Sequence, residues 1–121
     1  MRFTRDHVWI EPEGEVARVG VTAYIADQLD DLVLIDLPPI GRHVRPGEQL
    51  AVLENPERSF VVRAPVEGYV VAVNEATADA PDLVNAVPEL GGWLVRLKLE
   101  RPADVEQLLD RAAYEDFLAT L

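Results

Sequence analysis

Leu50-Ala51-Val52-Leu53-Glu54-Asn55-Pro56-Glu57-Arg58-Ser59-Phe60-Val61-Val62-Arg63-Ala64-Pro65-Val66-Glu67-Gly68 reads as strand, turn, strand, turn. Leu50 to Leu53 is a short apolar run bounded by polar residues, which fits a strand. Asn55-Pro56 starts a turn by a physical route. The Asn side chain can cap the turn, and Pro fixes φ near its second position. Phe60 to Arg63 then returns as the partner strand. Ala64-Pro65-Val66-Glu67-Gly68 turns again, and Tyr69 to Val73 continues as a further strand.

The same pattern of strands and turns recurs along the rest of the chain. Val8 to Ile10 and Val16 to Val21 are strands joined by the polar turn Glu11-Pro12-Glu13-Gly14. Thr22 is placed to cap a helix over Ala23 to Asp30, where Ile25, Ala26 and Leu29 share a face. Leu32 to Leu37 alternates and stops at Pro38-Pro39, which cannot continue a ladder. Arg45-Pro46-Gly47-Glu48 is a turn, and Asp79 to Asn85 is expected as one helical turn. Trp93 to Leu99 alternates again. After it the chain is expected to be helical, with Asp104, Leu108 and Leu109 leading one helix behind Pro102. Ala113, Tyr114, Phe117 and Leu118 make the apolar face of a second. Many short strands with frequent turn signals predict a mainly β protein, a barrel or sandwich whose edges the helices cover. Pro46 to Glu48 and Val66 to Gly68 echo one another, each leading into a strand, as two related hairpin halves would.

Composition narrows the function. The chain has 121 residues, 49% of them apolar, which suits one domain with a real core. The 22 acidic against 11 basic residues give a net charge of −11, which argues against nucleic acid and anionic membrane as partners. There is no cysteine, so disulfides, thiol nucleophiles and cysteine zinc sites are excluded. No apolar run has the length of a signal peptide core or a membrane span, and a cytoplasmic protein is expected.

The candidate chemical groups are few. His7 and His43 are the only histidines, and no carboxylate stands at metal-ligand spacing from them. Asp27, Asp30 and Asp31 read as a solvated acidic face rather than acid–base pairs. Ser59 is the only serine, with no histidine near it in sequence. Gly91-Gly92 is a turn before a strand, not a phosphate loop. No enzyme is expected.

Taken together and in order, the segments resemble the H protein of the glycine cleavage system over essentially the whole chain. The resemblance rests on His7-Val8-Trp9, Val19-Gly20-Val21-Thr22, Leu37-Pro38, Gly47-Glu48, Val52-Leu53-Glu54, Ala64-Pro65-Val66-Glu67-Gly68, Val73-Asn74-Glu75-Ala76, Pro81-Asp82-Leu83-Val84-Asn85, Gly92-Trp93-Leu94 and Leu97-Lys98-Leu99. It implies a barrel–sandwich hybrid of the lipoyl/biotinyl-carrier type, with a short internal helix. The β core would span about residues 7–99 and the C-terminal helices about residues 102–119. It also implies partners that are proteins, aminomethyltransferase and glycine decarboxylase among them.

In that family lipoate is attached to a lysine on a hairpin resembling Glu-Ser-Val-Lys-Ala. Counted without gaps, Glu54 falls on the family's glutamate and Glu57 on the lysine. The one lysine of this chain is Lys98, inside the Trp93 to Leu99 alternation. A glutamate has no amine to acylate. The ten arginines suggest a compositional drift from lysine to arginine, but such drift would not leave a glutamate. The resemblance places arm-docking groups where this chain has Val8, Phe60 and Val61; the Val8 and Val61 side chains neither accept a hydrogen bond nor pair with an ammonium, and Phe60 is bulkier than the serine it replaces. The expectation is therefore an H-protein homologue with no lipoyl cofactor and no catalytic residues. It would act by protein contact through the hairpin Glu54, Asn55, Pro56, Glu57 and Arg58. Two alternatives remain: a small ligand in the vacated arm cleft, made more apolar by Val8, Phe60 and Val61, or a carrier modified at Lys98. The latter is disfavoured because a ligase could hardly reach a residue within a strand.

Overall fold

A computed structural model describes all 121 residues. Nine strands form two antiparallel sheets. The first holds β1 (Arg2–Phe3), β2 (Val8–Glu13), β3 (Val16–Val21), β5 (His43–Val44), β8 (Gly68–Val73) and β9 (Val95–Leu99), in the order β1-β2-β3-β9-β8-β5. The second holds β4 (Leu34–Asp36), β6 (Gln49–Glu54) and β7 (Ser59–Arg63), in the order β4-β6-β7. Helix α1 (Ala23–Gln28) follows β3, and α2 (Glu75–Asp79) and α3 (Asp82–Ala86) precede β9. The mainly β expectation is met. The β core begins earlier than expected, because Arg2 and Phe3 pair with Ile10 and Trp9.

The core lies between the sheets. In β9, Val95, Leu97 and Leu99 are buried while Arg96 and Lys98 are exposed, the period-two pattern of a half-buried strand. In β2, by contrast, Val8, Trp9 and Ile10 are all buried. Val8 and Ile10 enter the main core, and Trp9 enters a second cluster with Phe3 and Tyr114. The strand is covered on both faces because helix α4 (Arg111–Leu118) packs there, bringing Tyr114, Phe117 and Leu118. Gly20 sits opposite Trp9 in the ladder, and an added Cβ would come within 2.8 Å of the indole.

The β6–β7 hairpin grows out of the large sheet. The strands that flank it, β5 and β8, pair in the large sheet, and β6 and β7 pair in the small one. The two turns at its base bond to each other. Gly47 N donates to Ala64 O at 2.9 Å, and Ala64 N donates to Glu48 O at 2.8 Å. Gly47 has φ of +86°, which favours glycine at that turn. The sequence echo between these turns thus corresponds to a real pairing, and it aims the β6–β7 tip outward.

Several local expectations are corrected. The helix expected from Pro102 is a 3-10 helix over Pro102–Gln107. It ends because Leu109 bridges to Phe3 instead of continuing the spiral. Thr22 stands at the N-cap of α1 but makes no capping bond. Its hydroxyl is 2.8 Å from Tyr114 Oη, and Glu89 accepts from Ala23 N in its place. The single turn expected over Asp79 to Asn85 is two helices, α2 and α3. Helix α2 went unread because its only buried anchor is Thr77, which has no apolar signature.

Candidate functional site

The hairpin tip is a tied turn. Asn55 N donates to Arg58 O at 2.9 Å, while Asn55 Oδ1 accepts from Glu57 N at 2.9 Å and Arg58 N at 2.8 Å. The turn is therefore closed by its own side chain, as the Asn-Pro pair requires. It is also braced from outside. Asn55 Nδ2 donates to Asp30 O at 3.0 Å, and Arg58 Nη2 donates to Gln28 O at 3.0 Å. Both acceptors are backbone carbonyls at or just beyond the end of α1.

That end is itself fastened by a residue sequence reasoning missed. Asn85 Nδ2 donates to Ala26 O and Leu29 O, and Asn85 Oδ1 accepts from Leu32 N. One side chain on α3 thus satisfies carbonyls at the α1 terminus and an amide of the following loop. Nothing in its local sequence distinguishes Asn85 from a surface asparagine.

Glu54 and Asn55 are half-buried, whereas Pro56, Glu57 and Arg58 are exposed. Glu57 makes no ion pair, and its carboxylate stands free at the tip. On one side the tip borders a groove lined by Gln28, Asp30, Asp31, Asn55, Pro56, Glu57 and Arg58, with a volume of about 330 Å³. Three carboxylates against one guanidinium make that groove acidic.

A second hollow of about 310 Å³ lies along β7, lined by Arg5, Asp6, His7, Ser59, Phe60, Val61 and Arg63. Phe60 and Val61 are half-buried and form its apolar floor. Phe60 packs against the main core and leaves the hollow open. Val8, expected here, is fully buried in the core instead. The physical reason is alternation along β2, which turns Val8 and Ile10 into the main core and Trp9 to the other face. His7, which precedes the strand, lines the hollow instead.

His7 is held firmly. It has φ of +65°, and its Nδ1 lies 2.9 Å from Tyr114 Oη. Its ring stacks on Tyr24 at 4.8 Å. Burial holds its pKa below the ordinary histidine value, and neighbouring Asp6 partly opposes that. Burial also pushes the Tyr114 hydroxyl up, with the Thr22 hydrogen bond opposing. His43 does not line this hollow. Its Nε2 meets Glu67 at 2.8 Å, and Arg101 meets the other Glu67 oxygen at 2.9 Å. Hydrogen bonds from Arg101 and then His43 hold the Glu67 carboxyl below its usual range.

Lys98 corrects one sequence argument. It is exposed, so reach is no obstacle. It sits in β9, however, between β3 and β8 of the large sheet, on a flat face rather than at a turn. Ser59 is exposed at the start of β7 and has no hydrogen-bonded histidine.

Two packed sheets that hold one braced hairpin turn away from the core define a carrier-type β domain. The model of the family "Glycine cleavage H-protein" matches residues 1–121. The glycine cleavage system H protein of Caulobacter vibrioides is 51% identical over 121 residues, covering 100% of both chains. That of Phenylobacterium zucineum is 46% identical over 119 residues, covering 98% of each. The crystal structure of a glycine cleavage system H protein from Mycobacterium marinum superposes with a TM-score of 0.87 at 31% identity, covering 97% of this chain and 94% of that one. The chain belongs to the glycine cleavage H-protein family. Its members are carrier proteins and not catalysts, the family's cofactor is lipoate, and its partners are other proteins of the glycine cleavage system.

Proposed function

We propose that this chain is a cytoplasmic H-protein homologue that carries no lipoyl arm and works by protein contact. The observation that carries this reading is Glu57, which stands at the exposed apex of the hairpin where the resemblance puts the lipoyl lysine. A carboxylate there cannot form the amide that holds a lipoyl group. The braced turn supports a contact role, because a turn already closed by Asn55 and anchored by Arg58 loses less entropy on docking. The partners proposed are the aminomethyltransferase and the glycine decarboxylase, met through Glu54, Asn55, Pro56, Glu57 and Arg58.

Two measurements test this. The intact mass of the protein from its native host should equal the bare chain, and a lipoyl adduct would sink the non-carrier reading. Titration against the host's aminomethyltransferase and glycine decarboxylase, with lipoylated H protein as competitor, should give mutual displacement. Failure to bind either enzyme would remove the proposed partners. A carrier modified at Lys98 would reveal itself in the same mass spectrum, by an adduct on that peptide.

A further inference from the structure

The hairpin separates two hollows of opposite electrostatic character. The groove at its tip carries three carboxylates and one guanidinium. The cleft along β7 carries two guanidinium groups, Arg5 and Arg63, and one carboxylate, Asp6. That excess is the reverse of the chain as a whole, with its 22 acidic and 11 basic residues. Neither Arg5 nor Arg63 is in an ion pair. Each is nevertheless partly positioned. Arg63 Nη1 donates to Gly47 O at 3.0 Å, and the Arg5 guanidinium lies 5.7 Å from the centre of the Phe117 ring. Arg63 thereby retains donors for another acceptor, and Arg5 keeps all of its own.

The same hollow has an apolar part, formed by Phe60 and Val61. The cleft volume of about 310 Å³ is at the lower end of small-molecule sites, roughly 300–1,000 Å³. We infer that this cleft binds a small organic monocarboxylate with an apolar tail, its carboxylate between Arg5 and Arg63 and its tail on Phe60 and Val61. Asp6 opposes a second negative charge, which is why a monoanion suits the site and a dianion does not. The inference rests on the reading that no arm anchored to the hairpin fills the cleft.

Hexanoate is the probe, with hexanamide as its uncharged counterpart and hexylamine as its cationic one. Amide signals of the bare 121-residue chain are followed by NMR during each titration. Hexanoate should shift the signals of residues 5–7 and 59–63, with a dissociation constant on the order of millimolar, as befits so small a ligand. Hexanamide and hexylamine should bind about tenfold more weakly or not at all. Arg63→Gln should weaken hexanoate, and Arg5→Glu with Arg63→Glu should abolish it. Thermal melting checks that both variants fold. Equal binding of hexanamide would overturn the proposal, as would shifts outside the cleft, no shifts at all, or undiminished binding by the double variant. A lipoyl adduct on the native protein would instead remove the non-carrier reading, whatever hexanoate does with the bare chain.

Discussion

Tyr114 Oη lies 2.9 Å from His7 Nδ1 and 2.8 Å from Thr22 Oγ1. One hydroxyl therefore ties the C-terminal helix to the cleft wall and to the start of α1. Its own ring stacks on Phe3 at 4.7 Å. Tyr114→Phe keeps that stacking and removes both hydrogen bonds. The Thr22 hydroxyl, buried, is then left without its partner, at a cost of about 1–3 kcal/mol. Urea unfolding should show that loss, and the amide signals of His7 should move in the folded variant. An unchanged midpoint would mean water replaces the tyrosine freely.

The same histidine gives a pH dependence. Its folded pKa is depressed below the ordinary value of 6.5 by burial, against the pull of Asp6. Below that ordinary value the unfolded chain binds the proton more readily than the folded one. The contribution is therefore fully present above about pH 6.5 and is lost as pH falls through the depressed folded pKa. Glu67, also depressed, adds a loss in a lower window, below its ordinary value of 4.5. The urea midpoint should fall on acidification in two stages, and His7→Gln should remove the upper stage alone.

Asn55→Ala tests the tip. It deletes two bonds that close the turn and one that braces it to Asp30. The exposed site should limit the global cost to about 1 kcal/mol. The clearer reading is local: amides of Glu57 and Arg58 should lose protection from hydrogen exchange, and affinity for a docking enzyme should drop with it. Retained protection would show that Arg58 and the strand ladder suffice.

Glu57→Lys should be silent for stability, within about 0.5 kcal/mol, because the carboxylate is exposed and unpaired. Expressed with a lipoate ligase, this variant should gain a lipoyl adduct at residue 57 while the parent gains none. No adduct on the variant would mean that Phe60 and Val61 alter the hairpin beyond what the ligase accepts.

Gly20→Ala probes the second core cluster. The new methyl group would meet the Trp9 indole at 2.8 Å, and that indole is fixed by its bond to Pro88 O at 3.0 Å. Overpacking of this kind costs about 1–3 kcal/mol, so thermal melting should fall well below the parent. A Trp9 that swings aside without cost would leave the melt unchanged and its fluorescence altered.

The strands were legible where one face is wet. Leu50 to Leu53, Phe60 to Arg63 and Tyr69 to Val73 fall within β6, β7 and β8 because burial alternates with exposure or a turn residue marks the end. The two-residue strands β1 and β5 were not legible, since each exists only through its partner, β2 and β8 respectively. The helix expected after Pro102 failed for the same reason: Phe3, over a hundred positions away, claims the backbone of Leu109.

For the candidate site, the division follows range. The chain order alone determined a turn at Asn55-Pro56, the absence of an amine there, and an acidic chain with one distant lysine, because these depend on residue identity and neighbours. Folding alone puts Val8 in the core and not the cleft, sets Asn85 at the end of α1 beneath the tip, and brings Arg5 and Arg63 into the lining of one hollow with Phe60. Those are contacts between segments far apart in the chain. Their energies arise from packing and burial after the sheets close, and no local pattern encodes them.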